Sequence, residues 1–112
     1  MNILVELTTL LEALGLPVET GVFSGVAPDE YVVIVPLIDD FVCFGDDRPE
    51  FESQEARLSL YSKGNYLAMK NSMVRALIAA DFTITDRQYV GHESDTGYHQ
   101  YAIDAAKIYS LE

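Results

Sequence analysis

Residues 55–91, EARLSLYSKGNYLAMKNSMVRALIAADFTITDRQYVG, hold both hydrophobic periods that a mixed domain needs. Over 55–61 the period is two. Ala56, Leu58 and Leu60 point one way while Arg57, Ser59 and Tyr61 point the other, as in a half-buried strand. Lys63-Gly64 ends that strand, and Asn65 is a good N-cap for the next helix. The period then becomes helical: Tyr66, Met69, Met73, Leu77 and Ala80 form a core-facing stripe, flanked by Leu67, Val74 and Ile78. Lys70, Asn71, Ser72 and Arg75 lie towards water. Thr83–Gly91, rich in Thr, Ile, Tyr and Val, returns to strand composition.

Working outward, Ile3, Leu4, Leu7, Leu10, Leu11 and Leu14 make the stripe of an amphipathic helix over about 2–14, stopped by Gly15 and Pro17. Val18–Phe23 reads as a short edge strand. The β-branched run Tyr31–Leu37 suits a strand buried on both faces. Pro36 lacks a donor and belongs at that strand's end or at a sheet edge. Asp39-Asp40 has turn chemistry, Phe41–Phe44 restarts a strand, and Gly45–Glu50 breaks it again. Beyond the loop Glu93–Gly97, the segment Tyr98–Tyr109 is a long final strand with His99, Tyr101, Ile103 and Ala105 on one face. The expected architecture is a single α+β domain over residues 1–112. Its mostly antiparallel sheet has about five to six strands covered by two helices, in the order α-β-β-β-β-α-β-β.

Composition bounds the function classes. The 112 residues carry a net charge of −11, and 49% are hydrophobic, too apolar for a disordered acidic tail. The charge is uneven. Twelve acids face only Arg48 in residues 1–56, whereas six acids and six bases balance in 57–112. Such a field repels phosphate and argues against nucleic-acid binding through a basic face. One cysteine excludes an internal disulfide and a multi-Cys zinc site. The longest apolar run, Val32–Ile38, falls far short of the ~20 residues of a bilayer span. The first residues lack the basic n-region of a secretory signal, so an intracellular soluble protein is expected.

No pattern for catalysis emerges. His92 and His99 flank a loop with Glu93 and Asp95, but the spacing does not put two imidazoles one helical turn apart, and both read as structural. Asp39-Asp40 and Asp46-Asp47 lack the spacing of a calcium loop. Cys43, between Val42 and Phe44, has no cationic setting to activate it and reads as a small core residue. No phosphate-binding glycine loop or nucleophile elbow occurs. The expectation is a non-enzyme without cofactor or metal.

Three segments carry a resemblance. YSKGNYLAMKNSMVRALIAADFTITD (61–86) leads from a tyrosine-ended strand through a turn into a helix of about four turns. ESDTGYH (93–99) opens the final strand, and FGDDRPEFESQEARLSLY (44–61) puts an acidic turn before the first of these strands. This pattern, over residues 45–109, resembles the small tail-completion (tail terminator) proteins of long-tailed bacteriophages and their prophage relatives. In those families an Asp-Thr-Gly-Tyr-His stretch commonly opens the last strand, as Asp95–His99 does here.

The resemblance implies a structural virion protein of the tail and neck, present in the host cytoplasm during assembly. It would form a ring of commonly six copies at the head-proximal end of the tail tube. There it would end tube growth and join the tail to the head connector. The implied partners are further copies of itself, the tail tube protein and a head-completion or connector protein. DNA would pass through without specific binding, and no membrane is involved.

A ring needs one face of each subunit to meet a different face of the next. Candidate interface residues are Asp46, Asp47, Glu50, Arg57, Lys63, Arg75, Arg87, Tyr98 and Tyr101, with the strand Tyr98–Tyr109 offering an edge for strand addition. Asp39, Asp40, Glu52 and Glu55 are candidates for a negative lumen. Two alternatives are another neck component (head-closure or adaptor) and an acidic inhibitor that mimics DNA.

Overall fold

The computed structural model describes residues 2–20, 28–45 and 48–110, with backbone alone at 38, 40–45 and 48–49. The elements run α1 (Ile3–Ala13), β1 (Val18–Thr20), β2 (Glu30–Gly45), β3 (Arg48–Ser62), α2 (Tyr66–Ala79), β4 (Thr83–His92) and β5 (His99–Ser110). They build an α+β domain: a five-stranded sheet in the order β1-β2-β3-β5-β4, with both helices packed on one face. Among the described residues, only β1 with β2 is parallel.

Local chemistry sets both helices. Asn2 caps α1, accepting hydrogen bonds from the Leu4 and Val5 amides. Another N-terminal amide, that of Ile3, donates to Gln54 Oε1 at 2.9 Å, so the sheet satisfies a donor the helix cannot. Gly15 takes a left-handed φ of 85° just past the helix, as a terminating glycine does. Asn65 caps α2 through the Leu67 amide.

Past the end of α2, Asp81 occupies the left-handed position with φ 68°, while the Phe82 amide donates to Leu77 O at 3.0 Å. A side chain there is strained, and a carboxylate faces the negative end of the helix dipole. Asp81→Gly is therefore expected to stabilise the fold by about 1 kcal/mol, read from the urea midpoint.

The core lies between the helices and one sheet face. Ile3, Leu7 and Leu11 of α1, with Met73 and Leu77 of α2, pack on Val32, Ile34, Ala56, Leu58, Leu60, Ile103 and Ala105. The sequence stripes of both helices thus face where their periods indicated.

Among the described residues, the other sheet face carries no helix. It presents in-register rows: Tyr31, Tyr61, Gln100 and Gly91; then Val33, Ser59, Ala102 and Gln88; then Val35, Arg57, Asp104 and Asp86. Among the described side chains of β2, two-faced burial therefore holds for Val32, Val33 and Ile34 only. Val35 and Leu37 are 37% and 39% exposed, contrary to the continuous burial expected over Tyr31–Leu37.

Three sequence expectations change. First, Asp39-Asp40 is no turn: β2 runs from Glu30 to Gly45, with Asp39 opposite Gln54 and Asp40 opposite Ser53. Two expected strands are one, and the order is α-β-β-β-α-β-β. The register shift between Pro36 and Ile38 supplies the reason. A bulge absorbs the missing proline donor, so pairing with β3 resumes and overrides the local turn preference of the two aspartates. Second, β3 starts at Arg48 rather than near Glu55. Third, β5 is no edge, because it pairs with β3 on one side and β4 on the other. Strand addition at residues 98–109 is thereby excluded.

The 16-residue β2 sets the molecule's long axis of 55 Å, matching ~3.3–3.4 Å per strand residue. Among the described residues, no helix is long and apolar enough to cross a membrane.

Candidate functional site

Surface chemistry concentrates in three places: a tyrosine cup, an ion-pair patch and the sheet edges. The cup begins with register. Tyr31 of β2 lies directly opposite Tyr61 of β3, and their rings stack at 4.9 Å with 14° between planes. The β4–β5 loop then folds Tyr98 against both rings edge-on, at 5.5 and 6.3 Å.

That loop is closed by backbone hydrogen bonds. The Glu93 amide donates to Tyr98 O at 2.9 Å and the Gly97 amide to Glu93 O at 2.7 Å, with Gly97 at φ 82°. The Tyr98 hydroxyl donates to Pro28 O at 2.5 Å, tying the loop to the start of β2. The result is a cavity of about 530 Å³, also lined by Val90, His92, Glu93, Thr96 and Gln100. Gly91 opens its floor, since a Cβ there would meet no atom within 4 Å. Burial pushes the Tyr31 phenol above its ordinary pKa, and the neighbouring Tyr61, Tyr98 and Glu93 add to the shift.

The ion-pair patch lies further along the same face. Arg57 grips Asp104, its register partner on β5, with two parallel hydrogen bonds of 2.8 and 3.0 Å. This bonding to Asp104 holds the guanidinium protonated beyond its usual range. Thr85, at a bulge of β4, donates to the Glu55 carboxylate and lies within reach of Asp104 O.

The sequence-derived candidates separate in three dimensions. Arg57 already pairs within its own chain, and Lys63 sits 3.8 Å from Asp29 and 4.9 Å over the Tyr98 ring. Tyr101 is on the helix side, half-buried, its ring stacked 6.1 Å from Tyr66 and beneath Lys70. Tyr98 belongs to the cup. Arg75 on α2 and Arg87 on β4 are exposed and form no ion pair among the described residues. Glu50 is exposed near the far end of β3. Asp46 and Asp47 lie outside the described residues, as do the side chains of Asp40 and Cys43.

The candidate lumen acids do not share one face. Asp39 pairs with Gln54, which bonds both α1 and Glu52, so Asp39 and Glu52 belong to the helix side. Alternation puts Glu55 with Arg57 on the open side.

His92 and His99 stand opposite each other on the closing hairpin, rings 4.5 Å apart. His99 Nδ1 is 2.9 Å from the Tyr89 hydroxyl and its ring packs on Tyr66. Among the described residues, no three His, Cys, Asp or Glu side chains converge as metal ligands would.

The cup escapes sequence reading because Tyr31 and Tyr61 are far apart in the chain. The available signal was that Tyr31, Val33 and Val35 alternate with Val32 and Ile34, which the unbroken apolar run conceals. Compared with known proteins, the chain matches no family model and no curated protein sequence.

Proposed function

We propose that this chain is a structural subunit of a bacteriophage tail neck, closing into a ring at the head-proximal end of the tail tube. In that role it ends tube growth and joins the tail to the head connector. The observation that carries this reading is a single sheet with two unlike open edges. Among the described residues, β4 has no strand partner beyond β5 on one side, and β2 from Val35 to Gly45 has none beyond β3 on the other. Unlike edges favour head-to-tail contact, which generates rings when the rotation closes.

Both edges carry devices that discourage indiscriminate pairing. β4 has two register shifts plus Asp86 and Arg87, and β2 has Pro36 with its bulge. A matching copy is therefore a better partner than an arbitrary strand. The acidic first half and neutral second half add complementary ends. The split of Asp39 and Glu52 from Glu55 across two faces disfavours the DNA-mimic alternative, which needs its carboxylates along one surface. The resemblance over residues 45–109 supplies the specific assignment to the tail terminator role.

Imaging of phage particles assembled with and without this protein tests the proposal. Overlong tails, or tails detached from heads, are expected in its absence. Normal virions without it would overturn the assignment.

A further inference from the structure

His92 and His99 are the two histidines of the chain, and strand register makes them neighbours where β4 meets β5. The Glu93 amide bonds to Tyr98 O, which makes His92–His99 a non-hydrogen-bonded pair. Side chains approach most closely in pairs of that kind. The two ring centres lie 4.5 Å apart, with 43° between their planes.

Two contacts hold the His99 ring in place. It packs 5.3 Å from Tyr66, and its Nδ1 is 2.9 Å from the Tyr89 hydroxyl. With Nδ1 donating to that oxygen, Nε2 keeps its lone pair and is the nitrogen left for a ligand. His92 is exposed and makes no hydrogen bond among the described residues, so either of its nitrogens is available.

The pair gains little by itself. Imidazole against imidazole offers no ion pair, and two like charges directly opposite repel. A shared metal ion turns the same contact into attraction. Such an ion sits roughly 3.2 Å from each ring centre, the ~2.0–2.1 Å bond to nitrogen plus about 1.1 Å within the ring. Two arms of that length at about a right angle put the ring centres ~4.5 Å apart, whereas a tetrahedral angle puts them ~5.2 Å apart. The observed separation matches the first.

We infer that His92 and His99 together chelate a divalent ion of the copper, nickel and zinc group, copper most tightly, with water in the remaining positions. Imidazole suits these ions, and right-angle spacing suits the tetragonal preference of copper and nickel. Calcium and magnesium need oxygen ligands, which the pair lacks. The chain's charge of −11 raises the local concentration of any divalent cation. The ion pins the end of β4 to β5 beside the open sheet edge, whether or not the protein closes into rings.

The test titrates the intact, untagged chain with Cu2+, Ni2+, Zn2+, Ca2+ and Mg2+ by calorimetry. One copper ion per chain is expected, bound more tightly than nickel or zinc, with calcium and magnesium far weaker. Pulsed electron paramagnetic resonance of the copper complex should show two imidazole nitrogens. At one metal per chain, that count identifies the pair, because no other histidine exists. His92→Ala, at an exposed position that leaves the fold intact, should weaken copper binding roughly a hundredfold, since the second ligand then no longer binds intramolecularly. Tyr89→Phe should weaken it roughly tenfold through loss of the bond that orients His99, with both nitrogens still seen in the spectrum. Copper in excess should raise the thermal midpoint of the wild type and not of His92→Ala.

A spectrum with one imidazole or none, copper affinity unchanged in His92→Ala, or calcium or magnesium binding as tightly as copper would each overturn the inference.

Discussion

Leu58→Ala is expected to destabilise the chain by about 3–5 kcal/mol, lowering the thermal midpoint by more than about 10 °C. Leu58 is fully buried in β3, opposite Ile34 on one neighbour and Ile103 on the other, with leucines of α1 and Leu77 of α2 in the same core. Truncation removes apolar contacts that rigid strands on both sides cannot collapse to replace. The contrast is Val35, one residue beyond Ile34 but on the open face and 37% exposed. Val35→Ala should change stability by only about 0.5 kcal/mol. Chemical denaturation of the two variants checks this, and equal losses would mean that the open face is covered rather than bare.

The second large effect concerns Lys107. Its ammonium contacts the Glu6 carboxylate of α1, donates to Ala80 O at 2.9 Å, and lies 4.7 Å over the Phe82 ring. One β5 side chain thus joins both helices to the sheet. It also brings a positive charge to the C-terminus of α2, whose last turn contains no basic residue. Lys107→Met keeps the stem but strands a carboxylate that is three-quarters buried and frees a helix-terminal carbonyl. The loss should be about 2 kcal/mol, below that of a fully buried pair because both groups retain some water. Glu6→Gln in the Lys107→Met background should cost much less than Glu6→Gln alone, a coupling of roughly 1 kcal/mol in a double-mutant cycle.

The same cluster predicts an alkaline limit. Burial pushes the Tyr109 phenol well above its ordinary value, and the neighbouring Glu6 carboxylate, which accepts its hydroxyl at 3.3 Å, adds to the shift. The folded state therefore holds this proton more tightly than the unfolded chain, whose tyrosines ionise near ~10. The associated stability is fully present below pH ~10 and is lost as pH rises towards the folded value. Urea midpoints measured from pH 9 to 12 should fall at the alkaline end, and Tyr109→Phe should flatten that fall.

The signals legible in the residues without the fold are local. Helix α1 comes from six apolar positions at helical spacing closed by Gly15, and α2 from Asn65 and the stripe through Met73 and Leu77. The alternation of Ala56, Leu58 and Leu60 with Arg57, Ser59 and Tyr61 defines the two faces of β3. Each of these signals is complete within a few turns or residues, because capping and periodic burial are short-range. The α+β class is their sum.

Non-local pairing decided the rest. The aspartates at 39–40 have turn chemistry, yet β3 offers a full ladder and the bulge near Pro36 makes room for it, so they sit in a strand. The final strand was a candidate edge, yet α2 carries the chain across so that β4 lies outside it, and β5 becomes interior. The partners of Arg57 and Lys107 are 47 and 101 residues away, and Tyr31 meets Tyr61 and Tyr98 only through register and a closing loop. A sequence states which side chains want a partner. Which partner each one gets depends on strand order and register, set by the simultaneous burial of all the strands against two helices.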